Sequence, residues 1–460
     1  MKLCDIIPCE YDIEVSGIAE DSRNIKEGYV FFATKGYNVD HFDYIEDALN
    51  KGAVAIVCDR KPEIDIDIVI VVDDVRKALI DACEKYYDVK TIEFKFIGIT
   101  GTDGKTTTAT LISRLIGAGY IGTNGLCYKD IEIGTTNTTP SICELYKCLH
   151  ILKINNCKIV VMEVSSEALI HCRVDHIRYD VVCYTNITED HLNIHKSIED
   201  YVAAKKKLLN IVKEDGLIFI NGDDDICREI KCNNLSSYGF DKSNSYVIKN
   251  VNLTTQSVTF DICFDNDVYT VTSPFREKFN IYNVCIAFIV CYEMGMDTAY
   301  LLDEVRKLKP INGRCEKLAF GQNYEIVLDY AHTYNAIKSI VSEYKDRRVI
   351  VVTGAAGGRE KEKRLKIGNF LLNNCYLVIF TMDDPRWENV NDIIDQMIGN
   401  YAGDNYLRIN DRKEAIYKSF ELAKEGDVVL ILGKGRDNYM AIEDRKECYC
   451  DYAVILDYFR

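Results

Sequence analysis

The residues Gly101-Thr102-Asp103-Gly104-Lys105-Thr106-Thr107-Thr108 follow directly on the apolar run Phe96-Ile97-Gly98-Ile99-Thr100, and a helical pattern opens at Thr106 and runs toward Leu115. A buried strand, a glycine-rich turn and a helix N-terminus in this order form an anion cradle. Backbone N–H groups converge there and the helix dipole favours negative charge. In such a cradle Lys105 would offset the β- and γ-phosphates of a nucleotide, and the Thr106 hydroxyl could ligate magnesium. The strict GxxxxGK[ST] spacing is not met, since Ile99 stands where its first glycine belongs and the first loop glycine is Gly101. GTPases, kinases and ligases all use a loop of this kind, so it specifies a nucleotide and not a reaction.

Other residues could act on that nucleotide. Glu163 closes the apolar run 159–162, at the strand end where open α/β sheets carry their ligands. Asn186-Ile187-Thr188-Glu189-Asp190-His191-Leu192 follows the apolar run 181–184, which puts His191 at a sheet edge as well. Magnesium prefers carboxylate and water oxygens, so His191 taken alone reads equally as a helix cap or a core residue. Lys205-Lys206-Lys207 taken alone reads as a solvated helix face.

The elements that must position these residues read as alternating strands and helices. Apolar runs recur at 54–58, 69–72, 96–100, 159–162, 181–184, 217–220, 349–353, 377–381 and 428–432. Runs apolar throughout suit strands buried on both faces of a parallel sheet, so the fold class is α/β. From Tyr246 to Ser273 the pattern alternates with period two, which predicts an antiparallel meander. Breaks near 87–94 and at Lys309-Pro310-Ile311-Asn312-Gly313 divide the 460 residues into three expected domains, 1–92, 93–312 and 313–460.

Composition narrows the partners. A net charge of -16 would repel a phosphate backbone, so neither nucleic acid nor an anionic membrane is expected. With 47% hydrophobic and 28% charged residues, the profile is that of a soluble globular protein. The 19 cysteines are scattered singly, as at Cys58, Cys83, Cys143, Cys183 and Cys285, and the Cys448–Cys450 pair has no matching pair nearby. Neither a disulfide framework nor a zinc site follows. No signal sequence precedes Cys4 and no apolar run approaches about eighteen residues. A reduced, cytoplasmic protein without membrane insertion is expected, and a monomer.

Taken in order, a set of motifs resembles the Mur ligases, and within them the tripeptide-forming branch. These are Thr100 to Thr108, Thr138-Thr139-Pro140, Glu163-Val164-Ser165-Ser166, Thr185-Asn186 through Asp190-His191-Leu192, and Ala203-Ala204-Lys205. Phe279-Asn280 with Asn283, Gly313-Arg314, Asp329-Tyr330-Ala331-His332-Thr333 and Gly433-Lys434-Gly435 continue the series, which runs from Asp21-Ser22-Arg23 to Tyr439. The resemblance implies an N-terminal UDP-binding α/β domain, a central P-loop ATPase-like parallel sheet with an antiparallel portion, and a C-terminal Rossmann-like domain. It implies ATP on Gly101, Thr102, Asp103, Gly104, Lys105, Thr106 and Thr107, with Asn283, Arg314, Asp329 and His332 completing that site. It implies two Mg2+ ions held by Thr106, Glu163, His191 and Lys205, the last as a carbamate that turns a cation into a carboxylate-like ligand. Lys105, Lys205, Glu163 and His191 would then be the catalytic group.

The implied reaction is ATP-dependent peptide-bond formation in peptidoglycan precursor synthesis. A diamino acid would join UDP-MurNAc-L-Ala-D-Glu through an acyl phosphate, which needs no side-chain nucleophile. Ser22 and Arg23, with Lys35-Gly36-Tyr37-Asn38-Val39-Asp40-His41, would meet the UDP, and Thr138, Thr139, Ser166 and Arg173 the sugar-peptide. Thr381-Met382-Asp383-Asp384-Pro385-Arg386 stands where relatives adding meso-diaminopimelate carry Asp-Asn-Pro-Arg, so Arg386 would take the distal carboxylate that L-lysine lacks. Asp384, Gly433 and Asp437 would complete the amine site.

Several residues depart from the family pattern. Glu167 replaces His, Asp384 replaces Asn, and Tyr334-Asn335 replaces Pro-Asp. Arg436-Asp437-Asn438 replaces His-Glu-Asp, and Glu362 replaces a glycine in the basic stretch Gly357-Gly358-Arg359-Glu360-Lys361-Glu362-Lys363-Arg364. These changes gather around the amine site. They leave open a divergent ligase acting on another carboxylate or amine, of polyglutamyl type, and a nucleotide-binding relative without catalysis.

Overall fold

Apolar runs bounded by turns form the strands of a computed structural model that describes residues 1–36, 39–190, 192–254, 256–359 and 361–460. Tyr37, Asn38, His191 and Glu360, named above, lie outside the described residues. Internal contacts divide the chain into two units. One comprises Met1–Asn186, Val202–Val247 and Ile286–Leu301, and the other Ile187–Tyr201, Ile248–Cys285 and Leu302–Arg460.

The first unit opens with a parallel sheet of β1 (Gly17–Ala19), β2 (Tyr29–Phe32), β3 (Ala53–Cys58) and β4 (Val69–Val71), in that order. Phe31 and Ile56 from these strands bury against Ile45 and Ala48 of the helix Ile45–Asn50. The larger sheet follows: β5 (Lys95–Thr100), β6 (Gly119–Gly122), β7 (Gly125–Tyr128), β8 (Ile131–Ile133), β9 (Ile159–Glu163), β10 (Tyr179–Tyr184), β11 (Val212–Asn221) and β12 (Leu235–Gly239). Its order is β12-β11-β10-β5-β9-β6-β7-β8. The pairs from β12 to β6 are parallel, and β7 and β8 add on antiparallel. β5 sits centrally between β10 and β9, so the loop after it opens at the C-terminal edge of the sheet, beside the ends of both neighbours.

β13 (Tyr246–Leu253) begins parallel to β12, and the second unit takes up the chain from there. β14 (Val258–Phe264) and β15 (Asp267–Ser273) form an antiparallel hairpin in which Val258, Phe260 and Ile262 are buried in alternation. This is the period-two pattern of the sequence. β16 (Glu316–Leu318), β17 (Glu325–Asp329), β18 (Val349–Thr353), β19 (Leu377–Phe380), β20 (Tyr406–Arg408) and β21 (Val428–Leu432) follow. They build a sheet of order β16-β17-β21-β18-β19-β20, parallel except at β16. Val349 and Val351 pack into one core, Ile350 and Val352 into the other, so both faces are buried as the unbroken apolar runs require. A hairpin of β22 (Tyr439–Ile442) and β23 (Arg445–Cys448) closes the site end.

All 19 cysteines are free. Among the described residues no helix is long and apolar enough to cross a membrane.

Candidate nucleotide and amine sites

The loop after β5 is shaped by two glycines and tied down from β10. Gly104 caps the helix Lys105–Ile116 with a left-handed backbone (φ +82°), a conformation that costs most side chains free energy. At Gly101 (φ +149°) a Cβ would run into Thr185 Oγ1 and the backbone of Asn186. Thr185 Oγ1 donates to Asp103 O at 2.6 Å, and Asn186 exchanges bonds with Thr102 and Asp103 at 2.8 to 3.0 Å. Lys105 Nζ donates to Gly101 O (2.9 Å) and Thr102 O (2.8 Å), curled over its own loop. A phosphate would displace these two carbonyls as the lysine's acceptors.

Glu163 ends β9 with 1% of its surface exposed. Its carboxylate accepts from Thr106 Oγ1 at 3.0 Å, from Thr123 N at 2.9 Å, from Thr123 Oγ1 at 3.4 Å and from the Tyr120 hydroxyl. A carboxylate beside a threonine hydroxyl at a helix N-terminus is a hard-oxygen pair, and it fits Mg2+. His191 lies outside the described residues. Among the described residues no group of three or more His, Cys, Asp or Glu gathers as a metal cluster.

Lys205 departs from its solvated reading. It is 1% exposed, on the buried side of the helix Ile198–Lys206, with Nζ 2.7 Å from Gly101 O and 3.5 Å from Thr100 Oγ1. Three consecutive lysines hid this, because only the first turns inward. A buried amine against the phosphate loop fits two roles, a cation facing phosphate or, after carbamoylation, an oxygen ligand for metal.

The remaining candidates of this unit divide. Thr138 Oγ1 lies 3.1 Å from Thr123 Oγ1, next to Glu163. Thr139 is fully buried and donates to Glu163 O at 2.8 Å, while Arg173 bonds Thr139 O at 3.2 Å. Ser166 is buried at the start of the helix Ser166–Ile170, whose first turn is capped by Ser165. Ser22 and Arg23 sit on the turn after β1, with Arg23 paired to Asp21 at 2.6 Å. Glu20 ties that corner to the rest of the unit by accepting Cys143 N at 3.0 Å.

In the second unit Asp329, at the end of β17, accepts Cys315 N and Ala331 N, both at 2.6 Å. Burial pushes its carboxyl above the usual range, against the pull of Arg314. Arg314 stacks over Tyr330 at 4.7 Å and His332 Nδ1 lies 3.0 Å from Tyr330 O, so these three sequence candidates converge. Asn283 donates to Asn280 Oδ1 at 3.0 Å. Lys363 pairs with Asp190 at 2.8 Å.

The loops after β18, β19 and β21 meet at one sheet end. Lys434, 1% exposed on its side chain, bonds Asp384 Oδ1 at 2.8 Å and lies 3.5 Å from Asp437. Ala441 N also donates to Asp384 Oδ1, at 2.8 Å. Asp384 and Arg386 both adopt left-handed backbone, φ 42° and 51°, a strain of the kind found at functional turns. Arg386 N donates to Ala441 O at 3.0 Å, and Arg386 O accepts from Glu443 N at 2.9 Å. Its guanidinium has no hydrogen-bond or ion-pair partner among the described residues, whereas Glu388 is matched by Arg364 at 2.6 Å. Burial pushes the Asp437 carboxyl up to about 7, with Arg314 opposing.

Some departures from the family pattern have structural employment. Arg436 pairs with Glu316 and stacks on Tyr452 at 3.5 Å. Tyr334 packs edge-on to Phe370 and lies under Lys366. Sequence reasoning missed Tyr120 and Thr123, and it did not mark Lys434 as the partner of Asp384.

Three family models match this chain: "Mur ligase family, catalytic domain" over residues 14–99, "Mur ligase middle domain" over 99–291, and "Mur ligase, glutamate ligase domain" over 313–435. The UDP-N-acetylmuramoyl-L-alanyl-D-glutamate--2,6-diaminopimelate ligase of Bacillus cereus is 32% identical, across 95% of this chain and 94% of that one. Its counterpart from Halalkalibacterium halodurans is 34% identical, across 92% and 90%. A solved structure of an enzyme with the same name superposes with a TM-score of 0.65 at 27% identity, covering 100% of this chain and 98% of that one.

Proposed function

The chain belongs to the Mur ligase family, whose three-domain α/β fold and ATP-dependent peptide-bond formation it shares, and from that premise we propose that it joins meso-diaminopimelate to UDP-MurNAc-L-Ala-D-Glu. The observation that carries the choice of amine is Arg386. Among the described residues its guanidinium has no hydrogen-bond or ion-pair partner, and the neighbouring acids Asp384 and Glu388 are matched by Lys434 and Arg364. An uncompensated planar fork at the amine site suits a carboxylate, which diaminopimelate has at its far end and lysine lacks.

The chemistry follows from this placement. ATP would lie along Gly101 to Thr107, with Lys105 turned from its loop carbonyls onto the phosphates; Asn283, Arg314, Asp329 and His332 are the second unit's candidates for the nucleotide. Thr106, Glu163, His191 and a carbamoylated Lys205 would hold Mg2+, which would supply positive charge to offset that of the phosphates. The D-Glu carboxylate attacks the γ-phosphorus, ADP leaves, and the resulting acyl phosphate is attacked by the amine with loss of phosphate. Ser22 and Arg23 take the UDP, and Thr138, Thr139, Ser166 and Arg173 the sugar-peptide. Asp384, Gly433 and Asp437 line the amine pocket. Asp437, where the family carries glutamate, keeps the charge on a shorter arm and receives the ammonium group when ionised.

The test is an amino-acid panel with the UDP-linked dipeptide and ATP, read by phosphate release and product mass. Diaminopimelate should give a product heavier by one diaminopimelate residue. Release with none of the diamino acids would overturn the assignment, and activity on an acceptor lacking UDP would transfer it to the polyglutamyl-type alternative.

A further inference from the structure

Tyr120 stands outside every motif of the sequence, yet its phenol reaches the carboxylate at the centre of the phosphate site. It lies on β6, paired with Val161 of β9 on one side and Cys127 of β7 on the other, and is 2% exposed. Its hydroxyl donates to Glu163 Oε1 and accepts the Asn124 N–H at 3.3 Å. Gly122 leaves the room for this contact, because a Cβ there would run into both Glu163 Oε1 and the Tyr120 hydroxyl.

The donors to Glu163 divide unevenly between its two oxygens. Oε1 takes the Tyr120 hydroxyl and the Thr123 backbone N–H at 2.9 Å. The amide belongs to the main chain, while the phenol oxygen is fixed by a ring packed in the core and already accepts the Asn124 N–H, which leaves its proton directed at Oε1. Among the described residues Oε2 takes only the hydroxyls of Thr106 at 3.0 Å and Thr123 at 3.4 Å. A hydroxyl proton rotates, and its oxygen accepts as readily as it donates. A cation approaching Oε2 therefore displaces two rotatable protons while Oε1 stays anchored.

We infer that Tyr120 is a positioning residue that pins Glu163 through Oε1 and so presents Oε2 as a single-oxygen ligand for a divalent cation. The inference rests on the reading of Glu163 as a magnesium ligand. Simple satisfaction of a buried carboxylate would make its donors interchangeable. Pinning makes the Oε1 donors matter and the Thr123 hydroxyl dispensable.

The experiment is titration of the full-length protein with Mn2+ in the presence of ADP, following free Mn2+ by electron paramagnetic resonance. Tyr120→Phe should weaken Mn2+ binding about tenfold, the scale seen when partners of metal ligands are removed, with the melting temperature and metal-free ADP binding unchanged. Thr123→Ala keeps the backbone N–H and should change Mn2+ affinity by less than about twofold, well short of that scale. Wild-type affinity in Tyr120→Phe, or an equal loss in Thr123→Ala, overturns the inference. Should Tyr120→Phe fail to fold, Gly122→Ala, which wedges a methyl between phenol and carboxylate, carries the same expectation and the same refuting result. Glu163→Gln separates the two readings: unchanged Mn2+ affinity there defeats the metal-ligand role itself, whereas a loss there beside a wild-type Tyr120→Phe defeats only the pinning.

Discussion

Arg386→Ala should abolish the preference for diaminopimelate over lysine without abolishing ligation. The guanidinium is exposed and has no partner among the described residues, so removing it strands no buried acid there and opens no core cavity. What is lost is a charge-assisted, two-pronged bond to the distal carboxylate. Hydrogen bonds to charged groups contribute roughly 1.5–3 kcal/mol, and about 2 kcal/mol corresponds to roughly thirtyfold in kcat/KM. The loss should fall on diaminopimelate alone, since lysine makes no such bond. Arg386→Lys should recover only part of it, because an ammonium keeps the charge but not the fork. The assay is phosphate release at saturating ATP and UDP-linked dipeptide, with each amino acid varied separately. A wild-type ratio of the two kcat/KM values in Arg386→Ala would refute the reasoning, as would an equal fall for both amino acids.

Other perturbations test other parts of the molecule. With its carboxyl pushed up to about 7, Asp437 is neutral below that pH and anionic above it. The KM for the amino acid should therefore fall as pH rises through 7, and Asp437→Asn should flatten that profile; an unchanged profile in the variant removes Asp437 from amine binding. The same shift acts on stability with the opposite sense: the folded protein holds this proton up to about 7, while an unfolded aspartate releases it near 4. The contribution is lost as pH rises across that window. The Arg412–Asp451 pair is wholly buried, at 2.8 Å and 0% exposure on both sides. Asp451→Asn should cost about 3–5 kcal/mol in chemical denaturation, and a loss near zero would contradict the pairing as drawn. Incubation with 13C-bicarbonate should give a carbamate carbonyl resonance that disappears in Lys205→Ala, and its absence from the wild-type spectrum would leave Lys205 as a plain cation.

Much of the framework was legible because parallel strands buried on both faces have to be apolar throughout. The runs 349–353 and 428–432 correspond to β18 and β21 residue for residue. Strands with few consecutive apolar residues gave a weaker signal or none. β1 (Gly17–Ala19) and β6 (Gly119–Gly122) each hold two apolar residues beside glycine, and the acidic ends of Glu325–Asp329 leave three apolar residues between them, too few to separate from a helical segment. The phosphate loop was readable as a local motif. The environment of Glu163 was not, because Tyr120 lies 43 positions away and only the pairing of β6 with β9 brings it near. Lys205 was misread alone for the same reason: which of three adjacent lysines turns inward depends on the packing of the helix Ile198–Lys206, not on its composition.

The most direct measurement of the central claim is the fate of oxygen during a turnover. UDP-MurNAc-L-Ala-D-Glu carrying 18O in the γ-carboxylate is incubated with ATP, Mg2+, diaminopimelate and the protein, and the released phosphate is analysed by mass. Passage through an acyl phosphate transfers one 18O to each phosphate released, in step with peptide formed, and release stops when either acceptor or amino acid is withheld. Unlabelled phosphate, or phosphate released without peptide, would contradict ligation by this route.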